Sequence, residues 1–504
     1  MDRDLRSVAQ ARELALRAKE AADAWAHASQ AEVDRAVEAV ALAGRRAARE
    51  LAELSVRVTG YGRPDHKEIK NRFNTTEVYE AIAPLTTVGI LSSCPEIGVV
   101  EVAEPVGVIA ALIPTTNPVS TVFFKSLIAV KARNAVVLAP HPRAAEASAA
   151  AAEVVIGALR KAGAPEGLVS CMTEIDLAGT NELMHHYRVS LVLATGSLAM
   201  VRAAYSSGKP TYAVGPGNVP SYLHASVGDL DDAVRGTLAS ATFDNGTPCA
   251  SEQALLVDRS IEARVRERLE ALGARFLTEA EAERLVPICV TPQGTIHPEC
   301  VGQPAPVLAE RAGIRVDPGT TVLVVSPRGV GREHPLSMEI LTSLLKWYVV
   351  SGPDEGIARA GELLRYGGDG HTAAIWATDE RVIATYAAAA RAFRVLVNTP
   401  TCFGAMGATA GLPPSFMLGT GTWGGSITAD NIGPLHLINR KRVARGIRSW
   451  QEVLGTAAGP AAAPGMADGR SALVASTRED PRAVVEDLVR RVLERLGEPV
   501  GGRG

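Results

Sequence analysis

The feature that most constrains the fold is a regular alternation of short apolar runs and helical segments between residues 106 and 240. Helical periodicity separates the runs, at Ser120–Lys131, Ala144–Lys161 and Gly179–His186. Strand and helix in alternation predict an α/β fold with a doubly wound parallel sheet. The predicted strands are Val106–Ile113, Ala135–Ala139, Leu168–Cys171 and Leu191–Ala194.

Two loops at the carboxyl ends of these strands are candidate binding sites, because ligands of such sheets bind at that edge. One is Pro114–Ser120, and the other is Thr195–Ser197, which precedes a predicted helix around Met200–Tyr205. Backbone N–H groups at a helix start can bind the pyrophosphate of a dinucleotide. Neither loop has the GxGxxG pattern, and helix capping explains Ser197 equally well. The polar residues concerned are Thr115, Thr116, Asn117, Thr195, Gly196 and Ser197.

Cys249 lies in a polar, turn-forming segment, Phe243–Gln253, directly before the strand-like run Ala254–Asp258. Gly246 and Pro248 favour a bend that presents one side chain and leaves nearby backbone N–H groups free. A thiol beside free N–H donors can attack a carbonyl and stabilise the resulting oxyanion. The alternative from this stretch alone is a buried cysteine that acts as a small apolar residue.

Composition narrows the class of protein. The net charge of −3 gives no reason to expect nucleic acid or an anionic membrane as a partner. No apolar run reaches the ~18 residues of a membrane span, and the charged N-terminus does not resemble a signal peptide. The six cysteines are scattered without CxxC or metal-ligand spacing, so we expect free thiols, no metal and a cytoplasmic location.

Many short motifs occur in an order that resembles the CoA-acylating aldehyde dehydrogenases. That group includes bifunctional alcohol–aldehyde dehydrogenases and the aldehyde dehydrogenases of bacterial microcompartments. The resemblance covers about residues 60 to 445. Its motifs are Ile69–Phe73, Pro114–Pro118, Phe124–Ser126, Ala139–Arg143, Leu193–Ser197, Ala204–Lys209, the Cys249 segment, Gly424–Gly425 and Asn431–Pro434.

The resemblance implies a dinucleotide-binding domain, a catalytic domain and a β oligomerisation flap in a homodimer or homotetramer. We assign residues 1–238 to N-terminal helices and the dinucleotide domain, with the strand near 98–106 in the flap. Residues 239–428 are the catalytic domain, and 429–454 return to the dinucleotide domain and flap. Residues 455–475 form an Ala/Gly/Pro-rich linker, and 476–504 form a helical tail.

The resemblance also implies the chemistry. Cys249 forms a thiohemiacetal with a short aldehyde, a hydride passes to NAD, and coenzyme A cleaves the thioester to give acyl-CoA. Asn117 and the Cys249 backbone N–H donate to the oxyanion, and Glu339 matches the carboxylate that holds the nicotinamide ribose. If that match is wrong, Glu339 is a solvated helix residue. The remaining implied cofactor-binding residues are Thr115, Thr116, His141, Thr195, Gly196, Ser197 and Gly215.

The residues themselves favour thiolysis of the thioester over hydrolysis. Hydrolytic relatives use a carboxylate some tens of residues before the cysteine, and this chain has no Asp or Glu between Glu182 and Asp229. A positioned base is worth roughly 10²–10⁴-fold in rate, so water without one is a poor nucleophile. The corresponding loop here is Tyr212–Asn218. The absence therefore predicts that coenzyme A is the acyl acceptor.

Several alternatives remain open on the sequence. The enzyme could be a hydrolytic dehydrogenase that releases a free acid, or an acylating sulfoacetaldehyde dehydrogenase. The chain could also be a scaffolding component. NADP is not excluded, because Arg143 could bind a 2′-phosphate, although an exposed arginine at a helix start explains it equally well.

The tail carries a further prediction. Residues 480–497 are predicted to form an amphipathic helix with a Val/Leu stripe, in which Asp480 is the N-cap, Pro481 the first helical residue and Gly497 the stop. A helix this short is marginal alone, so the stripe requires a partner surface. The partner is either this protein itself or the shell protein of a microcompartment.

Overall fold

The computed structural model describes residues 2–455. The predicted linker beyond residue 455 and the predicted helix 480–497 therefore lie outside the described residues. Within residues 2–455, no helix is long and apolar enough to cross a membrane, and no three His, Cys, Asp or Glu side chains form a group that could hold a metal ion.

The chain begins with helices that pack against the first sheet. Ser29 caps the second helix through a capping box with Glu32, and Gly60 ends that helix with a φ of 72°. Its residues Val33, Val37 and Val40 recur at helical spacing and are buried. The N-terminal helices are Arg3–Trp25, Gln30–Thr59, Pro64–Phe73 and Tyr79–Ile82.

A five-stranded parallel sheet follows, as the alternation predicts. Numbered along the chain, its strands lie in the order 3-2-1-4-5, one half of a doubly wound dinucleotide fold. The strands are Val108–Ile113, Ala135–Pro140, Val169–Cys171, Val189–Thr195 and Thr211–Val214. The helices around them are Pro118–Lys131, Ala145–Lys161, Leu177–His185 and Leu198–Tyr205. The predicted α/β class is confirmed, and the predicted ends of the strands and helices differ from the observed ends by at most two residues.

The second sheet has seven parallel strands in the chain-numbered order 3-4-5-2-1-6-7. Its first strand, Val219–Leu223, pairs with Glu252–Asp258. The second sheet therefore begins at Val219, within the range 1–238 that we assign to the first domain from the sequence. The strand sequence Val-Pro-Ser-Tyr-Leu follows Tyr212–Asn218 directly, so the sequence alone does not show that the chain passes from one sheet to the other here.

The remaining elements of the second unit surround its central strands. The other five strands are Ala274–Phe276, Val322–Val325, Leu344–Val350, Gly370–Trp376 and Ala392–Val397. The helices are Leu230–Thr242, Glu262–Ala271, Glu279–Cys289, Ala305–Arg311, Pro353–Gly367, Glu380–Ala389 and Thr401–Ala405.

A three-stranded antiparallel sheet stands apart from the two parallel sheets. Val99–Pro105 is its central strand, with Gly89–Cys94 on one side and Ile438–Ala444 on the other. Glu101 pairs with Arg440 at 3.2 Å and with Arg442 at 3.0 Å across the latter pair of strands. The chain therefore returns from the second unit to the strand near 98–106, and a short helix, Trp450–Val453, follows.

Candidate active site

The segment before Cys249 adopts an unusual backbone conformation. Asp244, Asn245 and Gly246 have φ values of 52°, 54° and 74°, three consecutive left-handed residues. Residues other than glycine adopt the left-handed region at a cost in free energy, so surrounding contacts must hold this conformation. The Asp244 carboxylate accepts from the Arg63 N–H at 2.7 Å and from the Thr247 hydroxyl at 2.6 Å. The turn that presents Cys249 is therefore fixed by a buried carboxylate.

Two buried lysines complete this anchor. Lys67 donates to Oδ2 of Asp244 at 2.9 Å, and Lys70 donates to the same oxygen. Burial alone raises the pKa of Asp244, but the two ammonium groups outweigh it and lower the pKa to about 2. The carboxylate is consequently ionised at neutral pH.

Cys249 contacts a histidine that sequence reasoning missed. Nε2 of His371 lies 3.3 Å from the Cys249 sulfur, and Nδ1 lies 2.9 Å from the Thr372 hydroxyl. A base within hydrogen-bond distance of a thiol is the arrangement of an activated nucleophile. The available sequence clue was a histidine directly after the glycine-rich turn Gly367–Gly370 and before an apolar strand.

Burial keeps both members of this pair neutral in the free protein. Burial, followed by the charge of Glu339, raises the pKa of the Cys249 thiol to about 12. Backbone N–H groups of Cys249 and Ala250 act in the opposite direction. Burial and the nearby Arg394 guanidinium lower the pKa of His371 to about 3. The pair is thus a thiol beside a neutral imidazole that can accept its proton.

Gly217 lies where any side chain would collide with the backbone of Cys249. A Cβ atom on Gly217 would lie 2.0 Å from the Cys249 carbonyl oxygen and 3.3 Å from Nδ1 of His371. The Gly217 N–H donates to Oε1 of Glu339 at 2.7 Å. The backbone at Gly217 therefore lies against Cys249, His371 and Glu339.

Glu339 is a buried residue, so the alternative of a solvated helix position is wrong. It is 5% exposed and lies between the 3-10 turn Pro335–Ser337 and the strand Leu344–Val350. Burial raises the pKa of its carboxyl group to about 7, against the opposing effects of the Gly217 N–H and Lys346. Its position beside Gly217 and Cys249 is consistent with a role at the reacting end of a cofactor.

Sheet order explains why these distant residues meet. Glu339, Cys249 and Gly217 each lie shortly before a strand, and His371 is the second residue of the strand Gly370–Trp376. These four strands are adjacent in the seven-stranded sheet. Adjacent parallel strands begin at the same edge, so the residues at their starts converge. The second unit thus contributes its amino edge to the site.

The first sheet contributes its carboxyl edge. The predicted cofactor residues follow four of its strands and are collected at that edge by the parallel topology. The hydroxyl of Thr195 is buried and has no hydrogen-bond partner within residues 2–455. A buried unpaired donor at this edge fits a polar ligand such as a dinucleotide. The residues that the sheet brings together are Thr115, Thr116, His141, Thr195, Gly196, Ser197 and Gly215.

Two of these side chains also have structural partners. The Ser197 hydroxyl accepts from the Met200 N–H at 3.4 Å and caps the helix Leu198–Tyr205. His141 accepts from the Arg143 N–H at 3.2 Å, and burial lowers the pKa of its imidazole. Capping does not remove the free N–H groups of that helix start, so both interpretations of Ser197 agree with the geometry.

Asn117 lies at the edge of the first sheet and reaches the Cys249 segment through Lys70. Lys70 donates both to Oδ1 of Asn117 and to Asp244, while Nδ2 of Asn117 donates to the Thr116 hydroxyl at 3.1 Å. The loop after the first strand is therefore tied to the turn that carries the thiol.

Arg143 is not the unpaired arginine that the sequence left open. Its guanidinium donates to the Tyr61 hydroxyl at 2.8 Å and to Glu299 at 2.9 Å. It thereby joins the dinucleotide sheet to the second unit, and the Glu299 carboxylate offsets its charge.

Comparison with known proteins agrees with this geometry. The aldehyde dehydrogenase family profile matches residues 4–283, more than half of the chain. The chain belongs to the aldehyde dehydrogenase family. A family member of similar sequence is the bifunctional aldehyde-alcohol dehydrogenase of Escherichia coli (strain K12), 38% identical over 444 residues, 87% of this chain and 50% of that protein. The chain thus spans about half the length of this relative.

Other aldehyde dehydrogenases match over nearly their whole length. The acylating sulfoacetaldehyde dehydrogenase of Cupriavidus necator is 36% identical over 85% of this chain and 87% of that protein. An acetylating aldehyde dehydrogenase from Geobacillus thermoglucosidasius has a TM-score of 0.87 and 46% identity, covering 89% of this chain and 99% of its own. A propionaldehyde dehydrogenase from Rhodopseudomonas palustris, solved with bound CoA and an acylated cysteine, has a TM-score of 0.78 and 27% identity, covering 86% of this chain and 97% of its own.

Proposed function

We propose that this aldehyde dehydrogenase oxidises a short aldehyde with a nicotinamide dinucleotide and transfers the acyl group to coenzyme A. Support comes from the Cys249–His371 pair and from relatives that are named as acylating or acetylating enzymes. The reaction is a reversible exchange between aldehyde and acyl-CoA through a thioester on the enzyme.

One observation carries the choice of thiolysis. The Gly217 backbone packs so closely on Cys249 that a Cβ there would lie 2.0 Å from the Cys249 carbonyl oxygen. The Tyr212–Asn218 loop therefore cannot direct a carboxylate side chain from this position at a thioester on Cys249. Without that base, water reacts slowly, and a thiol nucleophile has the advantage.

The side chains of the site have distinct roles in this proposal. Neutral His371 accepts the proton of Cys249 as the sulfur attacks the aldehyde and releases that proton to solvent, after which it accepts the proton of the incoming coenzyme A thiol. Nδ2 of Asn117 and the Cys249 N–H donate to the oxyanion. When bound, the nicotinamide supplies the hydride acceptor, and Glu339 holds the adjoining ribose. The roles suggested for Thr115, Thr116, His141, Thr195, Gly196, Ser197 and Gly215 are in cofactor binding.

We favour NAD over NADP as the cofactor. Arg143, at the end of the second strand, is already engaged by Glu299 and Tyr61. A 2′-phosphate would have to compete with the Glu299 carboxylate for that guanidinium. The 2′-hydroxyl of NAD carries no such charge and requires no exchange of partners.

The assembly and location are further parts of the proposal. The exposed strand Ile438–Ala444 lies at the edge of the antiparallel sheet, which suits it to pairing between subunits in a homodimer or homotetramer. The amphipathic sequence 480–497 suggests attachment to a microcompartment shell, where a reactive aldehyde would be retained. Acetaldehyde, propionaldehyde and sulfoacetaldehyde are the candidate substrates.

Product analysis tests the proposal. The enzyme is incubated with each aldehyde and NAD, with and without coenzyme A, and the products are identified by mass spectrometry. We expect acyl-CoA in equal amount to NADH when coenzyme A is present. Free acid as the main product in both arms would establish the hydrolytic alternative, and no oxidation in any arm would favour a scaffolding role.

A further inference from the structure

Two buried lysines beneath the Asn117 loop share one carboxylate but differ in their second contact. Lys67 and Lys70 are 3% and 1% exposed, and both donate to Oδ2 of Asp244. Lys67 also donates to the backbone carbonyl oxygen of Thr116 at 2.8 Å. Lys70 instead donates to the side-chain oxygen of Asn117. Of the two lysines, only Lys70 therefore contacts the side-chain amide of Asn117.

The Asn117 amide is free for this contact because it does not cap its helix. Asn117 is the residue before Pro118–Lys131, a position where an asparagine side chain ordinarily accepts from the helix N–H groups. Here no such bond forms. The backbone carbonyl oxygen of Asn117 instead accepts hydrogen bonds from the backbone N–H of Thr121 at 3.1 Å and from the Thr121 hydroxyl at 2.6 Å. The backbone of Asn117 is therefore fixed by Thr121, and the side-chain amide remains available to accept from Lys70.

Lys70 determines the orientation of the Asn117 side-chain amide. An ammonium group has three donors and no acceptor, so the amide atom against it must be Oδ1. Nδ2 must then point away, where it donates to the Thr116 hydroxyl at 3.1 Å. A flipped amide would place donors against donors and present an oxygen to the developing oxyanion.

We propose that Lys70 is a positioning residue for the oxyanion step: it holds Asn117 with the amide N–H directed toward the substrate. The inference rests on the proposed role of Asn117 as an oxyanion donor. Lys70 also donates to Asp244 and, at 3.4 Å, to the Thr247 hydroxyl, so the test must separate its effect through Asn117 from its effect on the Asp244 anchor.

A double-mutant cycle separates this role from a general structural one. NADH formation in a single turnover, without coenzyme A, is measured for the wild type, Lys70→Met, Asn117→Ala and the double variant. We expect Asn117→Ala to lose on the order of 10²–10³-fold and Lys70→Met roughly 10–100-fold. The double variant is expected to match Asn117→Ala within about twofold, because the amide that Lys70 orients is already gone.

Lys67→Met is the matched control. It removes an equally buried ammonium from the same Asp244 oxygen and leaves Lys70 as the remaining partner, just as Lys70→Met leaves Lys67. Unfolding midpoints are measured for all variants, and the KM for NAD is expected to stay unchanged in Lys70→Met. If Lys70→Met does not fold, Lys70→Gln replaces it, since a glutamine amide keeps the site polar but does not impose one orientation.

The outcomes are distinguishable. Wild-type turnover in a folded Lys70 variant overturns the inference, and so does a double variant whose loss is the product of the two single losses. An equal loss in Lys67→Met and Lys70→Met would assign the effect to the Asp244 anchor. Wild-type turnover in Asn117→Ala would overturn the proposed oxyanion donor itself, and the Lys70 inference with it.

Discussion

Gly217 offers a direct test of the site, because the structure gives the displacement that a single added carbon must cause. In Gly217→Ala the new Cβ would lie 2.0 Å from the Cys249 carbonyl oxygen, whereas real Cβ contacts essentially never fall below 3.0 Å. Either Cys249 or the Gly217 loop must therefore move by about 1 Å. A misplacement of 1 Å at reacting groups costs on the order of 10²-fold in rate.

The loop cannot absorb this movement alone. The Gly217 N–H is bonded to Glu339 at 2.7 Å, and its Cβ position lies 3.3 Å from His371. We expect kcat for coenzyme A-dependent NADH formation to fall about 100-fold, measured well below the unfolding midpoint because overpacking also costs roughly 1–3 kcal/mol of stability.

A matched glycine controls for the substitution. Gly157, inside the helix Ala145–Lys161, would place its Cβ with no heavy atom within 4 Å. Gly157→Ala should keep wild-type activity and gain roughly 0.5–1 kcal/mol of stability. Activity within threefold of wild type in Gly217→Ala would refute the close packing on which the thiolysis argument depends.

Three further predictions follow from the site and the tail. Cys249→Ala should abolish aldehyde oxidation, and His371→Ala should slow it by roughly 10²–10⁴-fold. The control Cys171→Ala, in the first sheet, should leave NADH formation unchanged. Wild-type speed in His371→Ala would exclude His371 as the base. Because the pKa of Cys249 is raised to about 12, its alkylation by iodoacetamide in the free enzyme should accelerate about tenfold per pH unit from 7 to 9, and a plateau below pH 8 would show a stabilised thiolate instead. Deletion of residues 460–504 should leave catalysis nearly unchanged, and residues 470–504 should carry a fluorescent protein into the shell in cells that produce one; diffuse fluorescence, or lost activity, would indicate that the tail packs on its own protein.

Much of the first sheet was predictable because its signals are local. Continuous apolar runs such as Val108–Ile113 and Ala135–Pro140 identify buried parallel strands, and the following Thr115–Asn117 loop sits at the edge where ligands bind. The segment around Cys249 indicated a candidate nucleophile for the same reason, since a turn and a thiol are adjacent in sequence. Assigning these residues needed no knowledge of distant contacts.

His371 escaped prediction because its own stretch, a histidine after a glycine-rich turn, does not show that it meets a thiol. It lies 122 residues from Cys249 and meets the sulfur only because their strands flank Val219–Leu223 in the second sheet. Glu339 was matched by resemblance alone, and its burial could not be derived from the sequence, since a glutamate ordinarily faces water. Strand order brings these residues together, and single-sequence periodicity does not determine that order.

The most direct test of the central claim is the stoichiometry of NADH formation without an acyl acceptor. Enzyme, excess aldehyde and NAD are mixed without coenzyme A, and NADH is followed by absorbance. A site that forms the thioester on Cys249 but cannot activate water should release about one NADH per active site, stall, and resume turnover when coenzyme A is added. Sustained NADH formation at a comparable rate without any thiol would contradict the account, because it would show that a base at this site activates water.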